Sequence, residues 1–471
     1  VSRAHRPSRC DAGLRHGLLG DRIFMRNAEP SPQTVTATRA AAVALVPPTR
    51  LPLLYVAFAH VSLLAALMVV AVDPRGVSGF FYHPRMLAVV HLITLGWISS
   101  SILGWIRVVG PLALRMAVPV TGADYWAYAC VVIGTSGMVS HFWLETFDGM
   151  AWSAAMTLVG VLHSVIRVIG RVRAVAIPRP IAIHLVLACV NFVLAGIVGV
   201  LIAIDKVTDV VPGDALSNVY AHLHLAAVGW ASMMAVGVGY RLLPMVLPAA
   251  IPQGRALYAS AVLLQTGLIG LVATLATGWP GTLLFAICVS AGVAAFLSRV
   301  VWMTTHRRTP PATRPQPDFG ALQAGHALLY LVLTTICGLT LVASETSVWT
   351  SQLMMLYGVL GLLGFLGQLV VAMELRLLPL LAWYTAFARS GFTPPDLSVH
   401  VLPAQPVVAL AFGGWVLGLP VLATGLALER VSLVGVGAWV LLGAVTLNTV
   451  HAVWMLRPVL RMAASRSQAT E

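Results

Sequence analysis

Charge is what this sequence has least of. Only 10% of its 471 residues are charged, and acids number 16 against 29 bases. With 59% hydrophobic residues, that composition excludes an ordinary soluble domain, whose surface needs about a quarter charged residues. Cysteine is nearly as sparse. Cys10, Cys130, Cys189, Cys288 and Cys337 are scattered, with no C-x-x-C, no C-x-x-C-H and no paired spacing. Disulfides, iron–sulfur ligation and covalent haem attachment therefore have no support. Alternating ten-residue segments are also missing, which leaves helices rather than a β-barrel as the way to cross a bilayer.

What is present is long apolar runs arranged in a repeat. The run Tyr220 to Pro248 carries His224, Gly229, Trp230 and Pro244; an earlier run carries His91, Gly96, Trp97 and Pro111 in the same frame. A third run carries Val359, Gly364, Phe365 and Pro379, so the three prolines lie 133 and 135 residues apart (244 − 111 and 379 − 244). A period this long describes a unit of several helices. The sequence predicts spans at 52–72, 85–110, 124–143, 150–170, 181–204, 217–247, 255–277, 280–304, 320–344, 350–387, 405–428 and 431–456. Each is long enough for a hydrocarbon core about 30 Å thick. The expected fold is an all-α polytopic membrane protein of about 12 transmembrane helices in three pseudosymmetric four-helix units, roughly 51–172, 180–306 and 319–460.

Residues 1–50 hold eight arginines with Pro and Ser and read as a disordered basic cytoplasmic tail; 461–471 reads as a second cytoplasmic tail. The segment has no signal-peptide pattern, and Met25 is an alternative start. Of the 29 bases, all but Arg75, Arg85, Lys206 and Arg430 fall on one side or at helix ends facing it, while Asp73, Asp205, Asp209, Asp214 and Glu345 fall on the other. This positive-inside asymmetry places both termini inside, in a bacterial-type inner membrane, and accounts for the basic balance without nucleic acid.

The chemistry must then come from polar groups within the spans. Ionisable residues in hydrocarbon are costly and tend to mark sites or pathways, and neutral imidazole is a common ligand for haem iron and copper. The plain alternative is that each histidine makes one interhelical hydrogen bond. Spans 2, 6 and 10 run from outside to inside, so His91, His222 and His224 sit in the outer third as a candidate haem or metal site. His163, His184, His326 and His451 sit in the inner half as a possible second site, His60 near the middle, and His83 and His141 at the outer rim. Residues two apart on a helix point about 200° apart, so His222 and His224 cannot share one metal from a regular helix. Gly96 and Gly229 permit close approach of either a porphyrin or a neighbouring helix, and Trp97 and Trp230 border a cofactor or pack in the core. Glu374 either relays protons or pairs with an inner arginine, while Arg241 and Arg376 read as snorkelling at the inner interface.

The stretches HLITLGW, YAHLHLAAVGW with GYRLLP, and LYGVLGLLGF with ELRLLPLLAWY resemble subunit I of the heme-copper oxidases, and more distantly the NnrS family of haem- and copper-containing membrane proteins. The likeness covers roughly residues 50–460. It implies a haem ligand at His91 and a metal ligand at His222 or His224, haem of unknown type with copper as a second candidate, and a periplasmic electron donor or respiratory partner subunits. The family's His-Pro-Glu-Val-Tyr on helix 6 is absent, span 7 has no histidine, and Tyr357, Gly358 and Val359 replace its His-x-His on helix 10. A complete oxygen-reducing binuclear centre is therefore not expected. The expected function is respiratory electron transfer or the handling of nitric oxide or dioxygen. The alternative is a cofactor-free transporter or assembly subunit.

Overall fold

A computed structural model describes residues 46–390, 392 and 398–468; the two tails expected at 1–50 and 461–471 fall largely outside them or at their edge. Every regular element among the described residues is helical. Twelve helices are long and apolar enough to span a membrane: α1 (Arg50–Val72), α2 (Pro84–Leu114), α3 (Gly122–Leu144), α4 (Met150–Ala174), α5 (Arg179–Thr208), α6 (Ala215–Val246), α7 (Ala256–Thr277), α8 (Thr282–Thr305), α9 (Phe319–Ala343), α10 (Val348–Arg389), α11 (Gln405–Ala427) and α12, which runs on from its span to Gln468. The chain is a multi-pass membrane protein, and Trp126, Trp152, Trp349 and Trp439 on its helices are exposed on the outside of the bundle.

Local chemistry sets the helix starts. Asp214 caps α6 by accepting from Ser217 N, Asp318 caps α9 by accepting from Ala321 N, and Thr121 with Asp124 forms a capping box at α3. His83, expected at the exposed rim, is exposed there and caps α2, accepting from Arg85 N. The expected end of span 2 before Pro111 moves four residues on, to Leu114. The proline removes only one donor, and Arg115 closes the end in the left-handed region with its N–H on Gly110 O.

The repeat is visible in the backbone. Helices α2, α6 and α10 each contain an eight-residue π-helical segment, at Leu92–Ser99, Leu225–Ser232 and Leu360–Gly367. Their starts are 133 and 135 residues apart (225 − 92 and 360 − 225), the proline spacing again. Packing follows the same rule: α4 lies on α5, α8 on α9, and α12 returns to α1, closing the chain of units into a ring. The second helices of the three units, α2, α6 and α10, meet one another inside that ring.

A tryptophan ladder ties these inner helices together. Trp230 on α6 donates to Ser99 Oγ on α2 at 3.0 Å. The equivalent Trp97 on α2 faces the equivalent position on α10, but that residue is Gly367, and Trp97 Nε1 is buried without a partner. Phe365 stands in the tryptophan position on α10 and has no donor to place. The repeat glycines serve helix contact. A Cβ on Gly96 would lie 2.4 Å from Ser62 Cβ on α1, and one on Gly229 would lie 2.8 Å from Asn191 Cβ on α5. Of the two readings of these glycines, helix approach is the one observed.

Candidate functional site

Between the three inner helices and α5 lies a cavity of about 820 Å³, within the size range of small-molecule and cofactor sites. His91, His222 and His224 all line it, so the structure brings the three outer histidines together around one space. Its wall is otherwise mostly apolar, and Lys206 is its only lysine, arginine or acid.

Each ring is held by the same device. His91 Nδ1 bonds Leu87 O at 2.7 Å and His224 Nδ1 bonds Tyr220 O at 2.7 Å, both one turn back on their own helices. His222 Nδ1 reaches across to Ala195 O on α5 at 3.0 Å, where Gly199 leaves room for the ring. A carbonyl only accepts, so each Nδ1 carries the hydrogen, and in a neutral ring Nε2 keeps its lone pair. This is how metal-ligating histidines are usually oriented: one nitrogen held by a fixed acceptor, the other presented to the ligand.

The two histidines of α6 part company, as their spacing predicts. His224 turns to α10, where Tyr357 O–H donates to its Nε2 at 3.3 Å and the rings stack. Tyr357 is the repeat counterpart of His222 (222 + 135), so the third unit supplies a hydrogen-bond donor where the second supplies an imidazole. His222 lines the same cavity as His91, whose ring stacks on Phe142 with centroids 4.9 Å apart. Among the described residues neither His91 Nε2 nor His222 Nε2 has a hydrogen-bond partner. Trp230 also lines the cavity, stacked on Phe192, whereas Trp97 lies outside it in the core.

The inner histidines proposed as a second site each meet a neighbour other than one another. His163 faces Asp124 at 3.3 Å, beside Arg107 and Arg167. His184 bonds Ser260 Oγ at 3.0 Å, His326 bonds Leu322 O and packs on Phe412, and His451 accepts from Ala404 N at 3.0 Å. Each has found a different neighbour, His326 and His451 included although α9 and α12 belong to the same unit. Among the described residues, no group of three or more His, Cys, Asp or Glu is placed to hold a metal ion.

Glu374 takes a partner that its sequence neighbours do not suggest. Its carboxylate meets His60 Nε2 at 3.2 Å and accepts from Trp105 Nε1 at 3.2 Å, with Thr449 Oγ1 2.8 Å from His60 Nδ1. No arginine pairs with it among the described residues. Arg376 instead joins Arg314 on Asp318, and Arg241 donates to Ala113 O at 2.8 Å, so both are tied to protein groups rather than snorkelling freely. Burial would raise the Asp318 carboxyl, but Arg376, Ala321 N–H and Arg314 hold it below the usual carboxylate range.

Two site residues carried little sequence signal. Tyr357 was visible only as the residue that opens the replacement of the oxidases' His-x-His on helix 10, and Lys206 only as one of four outer bases. No protein-family model and no curated protein matches the chain.

Proposed function

We propose that the chain is a haem-binding integral membrane protein of electron transfer, with His91 and His222 as the two protein ligands to iron. The observation that carries this is the pair of oriented imidazoles. Both are fixed through Nδ1, both keep Nε2 unengaged, and both line one apolar cavity of about 820 Å³. The donor set fits haem, which needs one or two axial side chains. Haem held by His91 and His222 would supply one-electron transfer there.

The chain's own residues define the rest of the site. Phe142 holds the His91 ring by stacking, Ala195 O fixes the His222 tautomer, and the apolar wall excludes water. Tyr357 satisfies His224 and so removes it from competition for the ligand. The resemblance to heme-copper oxidase subunit I supports a haem at this level, and the missing histidines on α7 and α10 argue against dioxygen reduction. An outer position suits a periplasmic electron donor.

A reduced-minus-oxidised spectrum of the protein purified after haem-replete expression tests the proposal. The expected result is a low-spin haem signal that disappears in His91→Ala and His222→Ala and survives in His224→Ala. A haem-free wild type would favour a cofactor-free transporter or assembly subunit, a reading in which His163–Asp124 and His224–Tyr357 are simply interhelical bonds. An unchanged signal in His91→Ala and His222→Ala would leave haem but remove these ligands.

A further inference from the structure

We propose that Lys206 binds an anionic group on the ligand of this cavity, a carboxylate of the haem; the inference rests on the haem reading above. Lys206 lies two residues from the outer end of α5 and is the only lysine, arginine or acid that lines the cavity. Its ammonium bonds Tyr82 Oη at 2.9 Å and lies 4.6 Å from the Tyr82 ring centroid and 5.1 Å from that of Phe147. No carboxylate pairs with it among the described residues. The adjacent Asp205 is turned to Val211 N, which it accepts at 2.7 Å. A cation held by a phenol and two ring faces, with its charge unmatched, makes the cavity rim a receptor for an anion.

Depth supports the pairing. His91 and His222 each lie seven residues inside the outer ends of their helices, about 10 Å along the axis at the helical rise. Lys206 is at the rim, so the two ligating nitrogens are deep and the cation is shallow. A ligand with an apolar body and an acidic edge meets both demands in one orientation, acid outward. A lysine that merely snorkels toward water would satisfy its charge in the headgroups and would not distinguish ligands inside the cavity.

The test uses the full chain in detergent, loaded with haemin or with haemin dimethyl ester, in which both carboxylates are masked. Release is followed by transfer to apomyoglobin for the wild type, Lys206→Gln and Lys206→Arg. The wild type should release haemin about tenfold more slowly than the ester, the scale of one charge-assisted hydrogen bond. Lys206→Gln should release both at the ester's rate, and Lys206→Arg should restore the difference. Uptake that depends on His91 but shows no haemin–ester difference, or a difference that persists in Lys206→Gln, would overturn the role of Lys206 alone. A wild type that takes up neither compound would end the haem reading and this inference with it.

Discussion

At the scale of single residues, the fate of a buried polar group is decided by whether it finds a partner. Glu374 and His60 are 4% and 5% exposed and lie in ion-pair contact at 3.2 Å, with Trp105 donating to Glu374 and Thr449 beside His60 Nδ1. Replacing Glu374 with Ala leaves His60 Nε2 and Trp105 Nε1 facing apolar surroundings. Removing one partner of a buried pair costs about 3 kcal/mol or more. Glu374→Ala should therefore melt well below the wild type in detergent, and Glu374→Gln, which keeps an acceptor for Trp105, should fall between them. Equal melting of Glu374→Ala and wild type would remove this pair as a structural tie. Glu374 was recognisable in the sequence as an anomalous acid in an apolar run. Its partner was not, because His60 comes from the opposite end of the chain and reaches it only through the packing of α1 among α2, α10 and α12.

At the scale of elements, the inner helices show what a repeat conserves and what it alters. All three contain a π-helical segment at the same place, and in two of them a serine hydroxyl bonds a carbonyl five residues back: Ser100 to Leu95 O at 2.9 Å and Ser232 to Ala227 O at 2.8 Å. The tryptophan ladder is satisfied at one step and broken at another by Gly367. A Cβ at that position would lie 3.7 Å from Trp97 Nε1, close enough for a serine hydroxyl to accept from it, and 3.2 Å from Leu362 O, a tight contact that the alanine control shares. Gly367→Ser should thus stabilise the protein by roughly 1 kcal/mol, the net worth of one hydrogen bond, with Gly367→Ala as the control lacking the acceptor. Serine no better than alanine in thermal unfolding would show that the ladder is not held by this bond. Helix boundaries were legible from apolar length and capping residues. The π winding was not, since it differs from α-helix by one residue per turn and leaves no mark on hydropathy.

At the scale of the whole molecule, the ring closed by α12 against α1 puts α2, α6 and α10 at the centre and the apolar coat outside. The charge asymmetry predicts which end of the cavity faces out. Single cysteines introduced into a cysteine-free chain check it. An impermeant maleimide added to intact cells should label Asp209→Cys and Glu345→Cys and leave Arg173→Cys and Arg308→Cys untouched. The opposite pattern would place the histidine level on the inner side and exclude a periplasmic donor.

The sequence by itself determined the twelve spans, their grouping into three units and the common level of His91, His222 and His224. Those are carried by local apolar length, by a frame repeated every 133 to 135 residues, and by position along a helix. Rotation about each helix axis and the choice of neighbour were decided only by the tertiary structure. His222 turns to Ala195 on α5 while His224 faces Tyr357, the inner histidines disperse to four separate partners, and Lys206 joins the cavity from α5. The reason is physical: depth is a property of one helix, whereas a site requires side chains from several helices to converge, and their convergence depends on how the units pack.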